Sequence, residues 1–521
     1  MARSPLDVWL YDTVVGHLTE PKRGQLRLDF TDDAETRFRP GSAILSTSMP
    51  VNTARRPNGI AVRAFFHGLL PEGTNRRTLE AELGVAAGDD FGLLTALGRD
   101  CAGAVVLLPA GSPAPTAVWD PTAVDQAWVD DAVAHIDERP LGVDTAVRVS
   151  LAGAQQKLLL VRHPDGGWAR PTNGTPSTHI LKPQDMRFPA YAAAEVFCLA
   201  LARRQGLSDV DAWEEHFGSR PVAVVARYDR RSGPDGTVTR IHQEDAAQAR
   251  ALDLSARPAA KYETRGGPSL RAVADLLDTF GSQQDRLRLL ALTTLNVVVG
   301  NADAHAKNLS LLHPDASTVT LAPAYDITPT TFYRGIPTPD GPKDLTDELG
   351  MFINGRRSIH KVTADDLITE GTRWGIFERQ ARATVLSTIK EIGDALSDAA
   401  HESGVPEQLV AFVAERAEAL RRGRAAGTLE QTTSRSLDDD LPPQRRRAST
   451  SALEVAELVD TTDHAAPTPP SITAPAPTAL GAPTSPGKVR CPHTNLDGTR
   501  CKIELLPGST CRAHHWTAPS R

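Results

Sequence analysis

Between Val297 and Ile327 the chain reads VVVGNADAHAKNLSLLHPDASTVTLAPAYDI, which sets Asp303, Asn308 and Asp326 on two loop-like breaks that follow apolar segments. A carboxylate, an amide five residues later and a second carboxylate at the next strand exit are the groups that phosphoryl transfer from ATP uses. Asp303 is placed to accept or orient an attacking hydroxyl, and Asn308 and Asp326 to hold magnesium against the phosphates. Capping is the plainer role for Asp and Asn in loops. Three such residues in this order, each beside an apolar run, are a more specific signal than any one alone. For His305 and Lys307, which lie between the first two, the sequence leaves two roles open: a contact with the transferred phosphate, or, for His305, a purely structural part.

The elements upstream supply what such a site still needs. Lys182 ends an apolar strand and Glu195 follows thirteen residues later in a helix, the arrangement in which a strand lysine meets ATP phosphates and a helix glutamate orients it. VSLAGAQQK, Val149 to Lys157, places one glycine among small residues between two strand-like runs, where either a phosphate-covering loop or a short hairpin turn fits. Lys157 adds a positive charge there, and Ser150 a hydroxyl open to modification. HQED, with Gln243, Glu244 and Asp245, follows a strand and precedes a helix, so it suits an interlobe hinge whose backbone meets adenine, or a helix cap by Gln243 or Asp245.

These segments need a frame of strands first and helices after. Residues 6–15 and 25–30 alternate as half-buried strands do, residues 60–70, 78–83 and 91–97 read as helices, and CAGAVVLLP returns to strand. This predicts a first α+β subdomain over residues 1–110 and a connector over 111–140 around the Pro- and Ala-rich GSPAPTAVWDP. A second domain then runs over 141–425, its sheet lobe reaching about residue 245 and its helical lobe following. The predicted fold class is α+β, a bilobal enzyme with a small sheet lobe and a large helical lobe. The chain has 521 residues, 40% of them hydrophobic, which suffices for such a core, and a formal net charge of −7, which argues against nucleic acid as the main partner. No apolar run is long enough to span a membrane and no signal-peptide core opens the chain, so a cytoplasmic protein without a membrane partner is expected. Cys101 and Cys198 sit in apolar contexts, as buried thiols do.

With those motifs in place, the sequence resembles the HipA family of bacterial serine/threonine kinase toxins from about Leu6 to Leu420. LDVWLYDTVVGHL, FFHGLLPEG and LGRDCAGAVVLLP look like its N-terminal subdomain; VSLAGAQQKLLL, THILKP, AEVFCLALA, VARYDR, HQED, KYETRGGPSL, NADAHAKN and YDI follow its kinase core in order. The resemblance implies a protein-kinase-like fold that uses ATP and Mg2+, with Asp303 as the catalytic aspartate, Asn308 and Asp326 as magnesium ligands and Lys182 as the nucleotide lysine. It also makes VSLAGAQQK the phosphate loop, bringing Ala152, Gly153, Ala154 and Gln155 to the nucleotide, and makes Ser150 the serine whose autophosphorylation ejects that loop. A phosphate there would repel ATP. Family members pair with a helix-turn-helix antitoxin that binds operator DNA, and known targets include aminoacyl-tRNA synthetases. No helix-turn-helix is evident here, so the antitoxin is expected to be a separate protein. A second reading is a kinase-fold corepressor that holds an antitoxin on DNA with little catalysis. Ala304 stands where the family commonly has glycine.

The tail departs from that pattern. From about residue 426 to 488 the periodicity fades into a flexible linker, with seven prolines among the twenty residues from Pro467 to Pro486. Within it ALEVAELV suits either a marginal helix or a docking segment. Beyond it, Cys491, Cys501, Cys511 and His514 are spaced Cx9Cx9CxxH, a set of four ligands for tetrahedral zinc, with His493 and His515 as alternative nitrogens. A segment of this length, 489–517, cannot bury a core and needs a metal to fold. Its six Lys or Arg against two acids from Lys488 onward suit a nucleic-acid contact, and a protein-docking knuckle suits it equally.

Overall fold

The computed structural model describes residues 3–115, 120–140, 150–153, 155–172, 174–233, 237–337 and 341–427, together with four two-residue strands near the C-terminus. Contacts divide the chain into two units, Met1–Val459 and Asp460–Arg521. In the second, Val489–Arg490 pairs with Glu504–Leu505 and Thr510–Cys511 with Trp516–Thr517. The side chains proposed for zinc, the linker and ALEVAELV lie outside the described residues, as does Ala154.

The first unit begins with four antiparallel strands, Leu6–Leu10, Thr13–Lys22, Gln25–Phe30 and Val105–Pro109, ordered third, second, first, fourth. The alternating run over residues 6–15 is not one strand. It folds back at Tyr11, whose φ of 56° makes the hairpin turn and sends the phenol to the carbonyl of His313, 302 residues away. Helices Gly59–Gly68, Gly73–Glu82 and Asp90–Leu97 cover this sheet, and Leu10, Leu18, Phe65, Phe66 and Phe91 are buried between them.

A six-stranded antiparallel sheet follows, ordered Thr122–Val124, Trp168–Arg170, Leu158–Arg162, His179–Pro183, Arg220–Ala226, Ala212–Phe217. The segment read as a connector supplies its edge strand and a helix, Gln126–Ala134, whose Val129 and Val133 pack on Trp168, Phe217 and Val222. Against the other face lies the helix Tyr191–Arg204. Its residues 192–202 are all buried, because one side meets Ala223 and Val225 of the sheet while Ala194, Phe197 and Leu201 enter the helical core. Burial on both sides explains why this helix has no polar stripe.

The helical part is built from Leu270–Phe280, Gln283–Val299, Ala364–Arg373, Glu378–Ser403 and Glu407–Arg421 around one apolar core. Gln283–Val299 ends where the NADAHAKN loop begins, and its last carbonyls are capped by a fully buried Arg416, whose guanidinium donates to Val297 O at 2.7 Å and to Val298 O at 3.2 Å. The loop leads out into Ser310–His313, the middle strand of a small sheet with His242–Asp245 and Thr320–Leu321.

The N-terminal part and the sheet lobe are joined by a buried ion cluster. Asp100 accepts from the Ser177 hydroxyl at 2.7 Å and from Arg230 at 2.8 Å; Asp229 accepts from Arg227 at 2.8 Å and from the Gly103 amide at 2.7 Å. Burial works against both carboxylates, but the surrounding Arg230, Arg227 and Arg240 hold Asp100 down at about 2, and Arg227 and Arg230 hold Asp229 below its ordinary value.

Candidate active site

Motifs far apart in the chain converge on an open cleft of about 1490 Å³. Strand His179–Pro183 carries Lys182 to its wall, where Nζ lies 2.6 Å from Glu195 Oε1 and 2.7 Å from Asp326 Oδ1. Burial by itself would lower this ammonium; Asp326 and Glu195 outweigh it and hold the charge above its ordinary range. Burial works against the Asp326 carboxylate too, yet Lys182 holds it well below the usual range. Burial pushes Glu195 up against the pull of the same lysine. The Asp326 side chain is 42% exposed, so its carboxylate opens on the cleft, and its φ of 55° is a strained value for a residue other than glycine.

The candidate base, Asp303, lies in the turn after Gly300. Its amide donates to Asn301 Oδ1 at 3.1 Å, and its Oδ1 accepts from the Tyr262 hydroxyl at 2.8 Å. Asn308 Nδ2 donates to the Asp303 carbonyl at 3.1 Å, which leaves the amide oxygen for a cation. Together with Asp326 this is a hard-oxygen donor set of the kind magnesium takes, with phosphate and water completing the shell. Among the described residues there is no cluster of three or more His, Cys, Asp or Glu side chains that could hold a metal by themselves. Ala304, in place of the common glycine, has no positive φ, so the loop accommodates it without strain. What is tight is its far side. Gly350 of strand Glu348–Ile353 donates to Ala302 O at 2.8 Å, and a Cβ on it would lie 2.8 Å from Ala304 O and 3.0 Å from His305 N.

His305 accepts the Lys307 amide on Nδ1 at 3.3 Å and stands edge-on to Tyr262; burial, then Lys261, lower it from its ordinary value, so the ring is neutral at pH 7 with its proton on Nε2. Lys307 reaches Asp245 Oδ2 at 2.7 Å and Glu72 Oε1 at 3.5 Å, and these two acids outweigh burial to keep its charge.

The segment expected to cover phosphates contributes to the cleft lining. Ala152, Gly153, Gln155 and Lys157 line the cleft, and Lys157 Nζ donates to Ala152 O at 2.6 Å. Gly153 has φ +113°, which favours glycine there; a Cβ would lie 2.8 Å from that ammonium and displace the end of the flexible lysine. Burial, then the charge of Lys182, bring Lys157 down to about 8. Ser150 is not among the residues that line the cleft. It is 0% exposed, with its hydroxyl donating to Leu69 O at 2.7 Å and its amide to Asp100 O at 2.8 Å.

On HQED, strand alternation sorts the residues. Gln243 and Asp245 face the cleft; Gln243 is held by the Tyr228 hydroxyl and by Asp229, and Asp245 also caps the helix Ala246–Ala249 in a capping box with Gln248. Glu244, placed at the nucleotide by the sequence reading, points the other way. Its carboxylate accepts from Ser46 Oγ at 2.6 Å, Thr47 N at 2.8 Å and His313 at 3.2 Å, and so fastens the N-terminal part instead.

Residues not singled out in the sequence complete the cleft. Glu72 comes from the N-terminal part; burial opposes its charge, but Lys307 and Lys261 hold it down at about 2. Tyr228 and Tyr325 lie with ring centroids 5.3 Å apart beside Gln243, forming an aromatic wall near Val210 and Val225. Each belongs to a segment already recognised as a motif, FFHGLLPEG, VARYDR or YDI, but the spacing that marks Asp303, Asn308 and Asp326 does not single out Glu72 or either tyrosine.

A protein-kinase-like arrangement of lysine, helix glutamate and two loop acids is thus set under an N-terminal subdomain that contributes to its own cleft. Comparison with known proteins identifies it further. Residues 6–108 match the model of the HipA N-terminal domain and residues 149–400 that of the HipA-like C-terminal domain. A Sinorhizobium fredii protein named as a kinase, Y4mE, is 35% identical over 403 residues, covering 75% of this chain and 91% of that protein. The serine/threonine-protein kinase toxin HipA of Shewanella oneidensis is 28% identical over 381 residues, 70% of this chain and 81% of that one. The solved structure of Shewanella oneidensis HipA with HipB and operator DNA aligns with a TM-score of 0.64 at 24% identity, covering 80% of this chain and 99% of that chain, which shows the shared fold. The chain belongs to the HipA family of serine/threonine kinase toxins. Among the described residues no helix is long and apolar enough to cross a membrane.

Proposed function

We propose that this protein is an ATP- and Mg2+-dependent protein serine/threonine kinase, the toxin of a toxin-antitoxin pair. The observation that carries the reading is the convergence of Glu195 and Asp326 on Lys182, each within hydrogen-bonding distance of its ammonium, in the cleft that also holds Asp303 and Asn308. In this reading Lys182 turns from Asp326 to the ATP phosphates while Glu195 keeps its direction, Lys157 and the loop amides cover the phosphates, and Gln243 and the two tyrosines receive adenine. Asp303 accepts the proton of a serine or threonine hydroxyl as the γ-phosphate is transferred to it. Asn308 and Asp326 would hold the magnesium ion, which when bound neutralises charge developing on the phosphate oxygens.

Ser150 is read as the residue of self-inactivation. Since its hydroxyl is sealed against Leu69, modification requires the loop to leave the N-terminal part first, and a phosphate then bars its return. The partner is a separate HipB-like helix-turn-helix antitoxin and, through it, operator DNA, by likeness to the Shewanella oneidensis complex; the protein acceptor is in the class that includes aminoacyl-tRNA synthetases. The tail is a zinc knuckle of Cys491, Cys501, Cys511 and His514 that recruits a partner. Incubation of the purified chain with radiolabelled ATP should place phosphate on serine or threonine only when Mg2+ is present, with Ser150→Ala lacking the self-modification; transfer that ignores Mg2+ would overturn the reading. About one zinc per chain is expected, lost on truncation near residue 486.

A further inference from the structure

Lys261, Tyr262 and Glu263 are consecutive, yet each is tied to a different part of the first unit. Lys261 Nζ lies 3.6 Å from Glu72 Oε2 of the N-terminal part. The Tyr262 hydroxyl donates to Asp303 Oδ1 at 2.8 Å. Glu263 Oε2 accepts the amide of Phe352 at 2.7 Å, in the strand whose Gly350 runs against the NADAHAKN loop.

The segment itself is firmly shaped. Two 3-10 turns, Pro258–Lys261 and Glu263–Arg265, flank the tyrosine, and the Gly267 amide closes back on Tyr262 O at 2.9 Å. Gly267 is packed so closely that a Cβ would come within 2.5 Å of Ala260 O and 2.7 Å of Tyr262 O. The ring stands edge-on to His305, with centroids 5.1 Å apart at 81°. The phenol is therefore held from both sides, and the carboxylate it meets is steered by it.

A carboxylate that orients an attacking hydroxyl must present one oxygen in a fixed direction, since an ångström of misplacement costs on the order of 10²-fold in rate. We infer that Tyr262 is a positioning residue: its phenol occupies Asp303 Oδ1 so that Oδ2 is turned to the acceptor hydroxyl, and the 261–263 segment links that orientation to the N-terminal part through Glu72. This rests on the kinase reading above. The link meets the phosphate loop only at its far end, where the Glu72 amide donates to Gly153 O at 3.4 Å; the phenol itself meets Asp303 and His305, so removing its hydroxyl separates the rate of transfer from the affinity for ATP.

Tyr262→Phe removes one hydroxyl and retains the ring against His305. The test is the rate of autophosphorylation with radiolabelled ATP, measured across ATP concentrations for the full chain, Tyr262→Phe and Asp303→Asn. The expected result is a maximal rate lowered about 10- to 100-fold in Tyr262→Phe with the half-saturating ATP concentration within about twofold of wild type. A maximal rate equal to wild type would overturn the inference, as would a loss matched by an equal rise in half-saturating ATP. A wild-type chain that transfers no more phosphate than Asp303→Asn would instead sink the kinase reading itself. Should Tyr262→Phe fail to fold, Lys261→Gln decides: it loosens the tie to Glu72 and leaves the phenol, and a lowered maximal rate at constant half-saturation is expected, an unchanged rate being contradictory.

Discussion

Lys182 faces two acids at once, Glu195 at 2.6 Å and Asp326 at 2.7 Å, and the two have unequal tasks. Glu195 is 1% exposed and can only orient; Asp326 opens on the cleft and can release the lysine to a phosphate. Lys182→Met should therefore lower phosphoryl transfer on the order of 10²-fold, the usual cost of losing one preorganised charge in a site, while leaving Glu195 buried and unpaired. Steady-state transfer rates check the first effect and a lowered melting temperature the second. That Lys182, Glu195, Asp303, Asn308 and Asp326 would share one cleft was legible in the sequence, because their order along strand, helix and loops follows from what each would have to reach. Glu72 and Tyr262 were not, because each enters from a segment whose spatial neighbour is more than 40 positions away, and a single Glu or Tyr carries no periodicity. Glu244 was misread for a simpler reason: one step along a strand reverses the face.

The elements do their positioning through close backbone contacts. The NADAHAKN loop is held between the capped end of Gln283–Val299 above and strand Glu348–Ile353 below, with Gly350 against Ala304 and His305. Gly350→Ala should displace that loop by a few tenths of an ångström or more and lower the maximal rate about tenfold or more, with ATP affinity nearly intact; nucleotide binding and initial rates read the two separately. No sequence pattern marks Gly350, since its backbone angles are ordinary and the constraint lies entirely in what runs beside it. The helices, by contrast, were largely readable from apolar spacing and end signals, and the helix Tyr191–Arg204 ends just before Gly206 at φ 64°. The hairpin at Tyr11 was hidden because alternation continues through it on both arms.

On the scale of the molecule, the N-terminal part is fastened to the rest of the first unit by buried ion pairs as well as by apolar packing. Asp100→Asn would leave Arg227, Arg230 and Arg240 short of a counter-charge in a site where Asp100 is 2% exposed, at a cost of about 3 to 5 kcal/mol, read as a lower urea midpoint. The same groups set an acid limit. Glu72 and Asp100 are both held down at about 2 from ordinary values of 4.5 and 3.8. A carboxylate whose folded value is depressed contributes stability that is complete above its unfolded value and is lost as pH falls toward the folded one. Urea stability should therefore decline between about pH 4.5 and 2, by up to about 3 kcal/mol for Glu72, and the decline should be shallower in Glu72→Gln. The junction at residues 111–140 looked like a linker because of its prolines, yet residues 122–134 complete the sheet lobe; composition registers the prolines and not the edge strand they precede.

The central claim is that this cleft transfers phosphate to a protein hydroxyl through Asp303. The direct measurement is Mg2+-dependent transfer from radiolabelled ATP by the full chain beside Asp303→Asn, with nucleotide affinity measured in parallel. A rate lower by about 10²-fold or more in the variant, at nearly equal ATP affinity, is the predicted result. Equal rates in the two proteins would contradict the account.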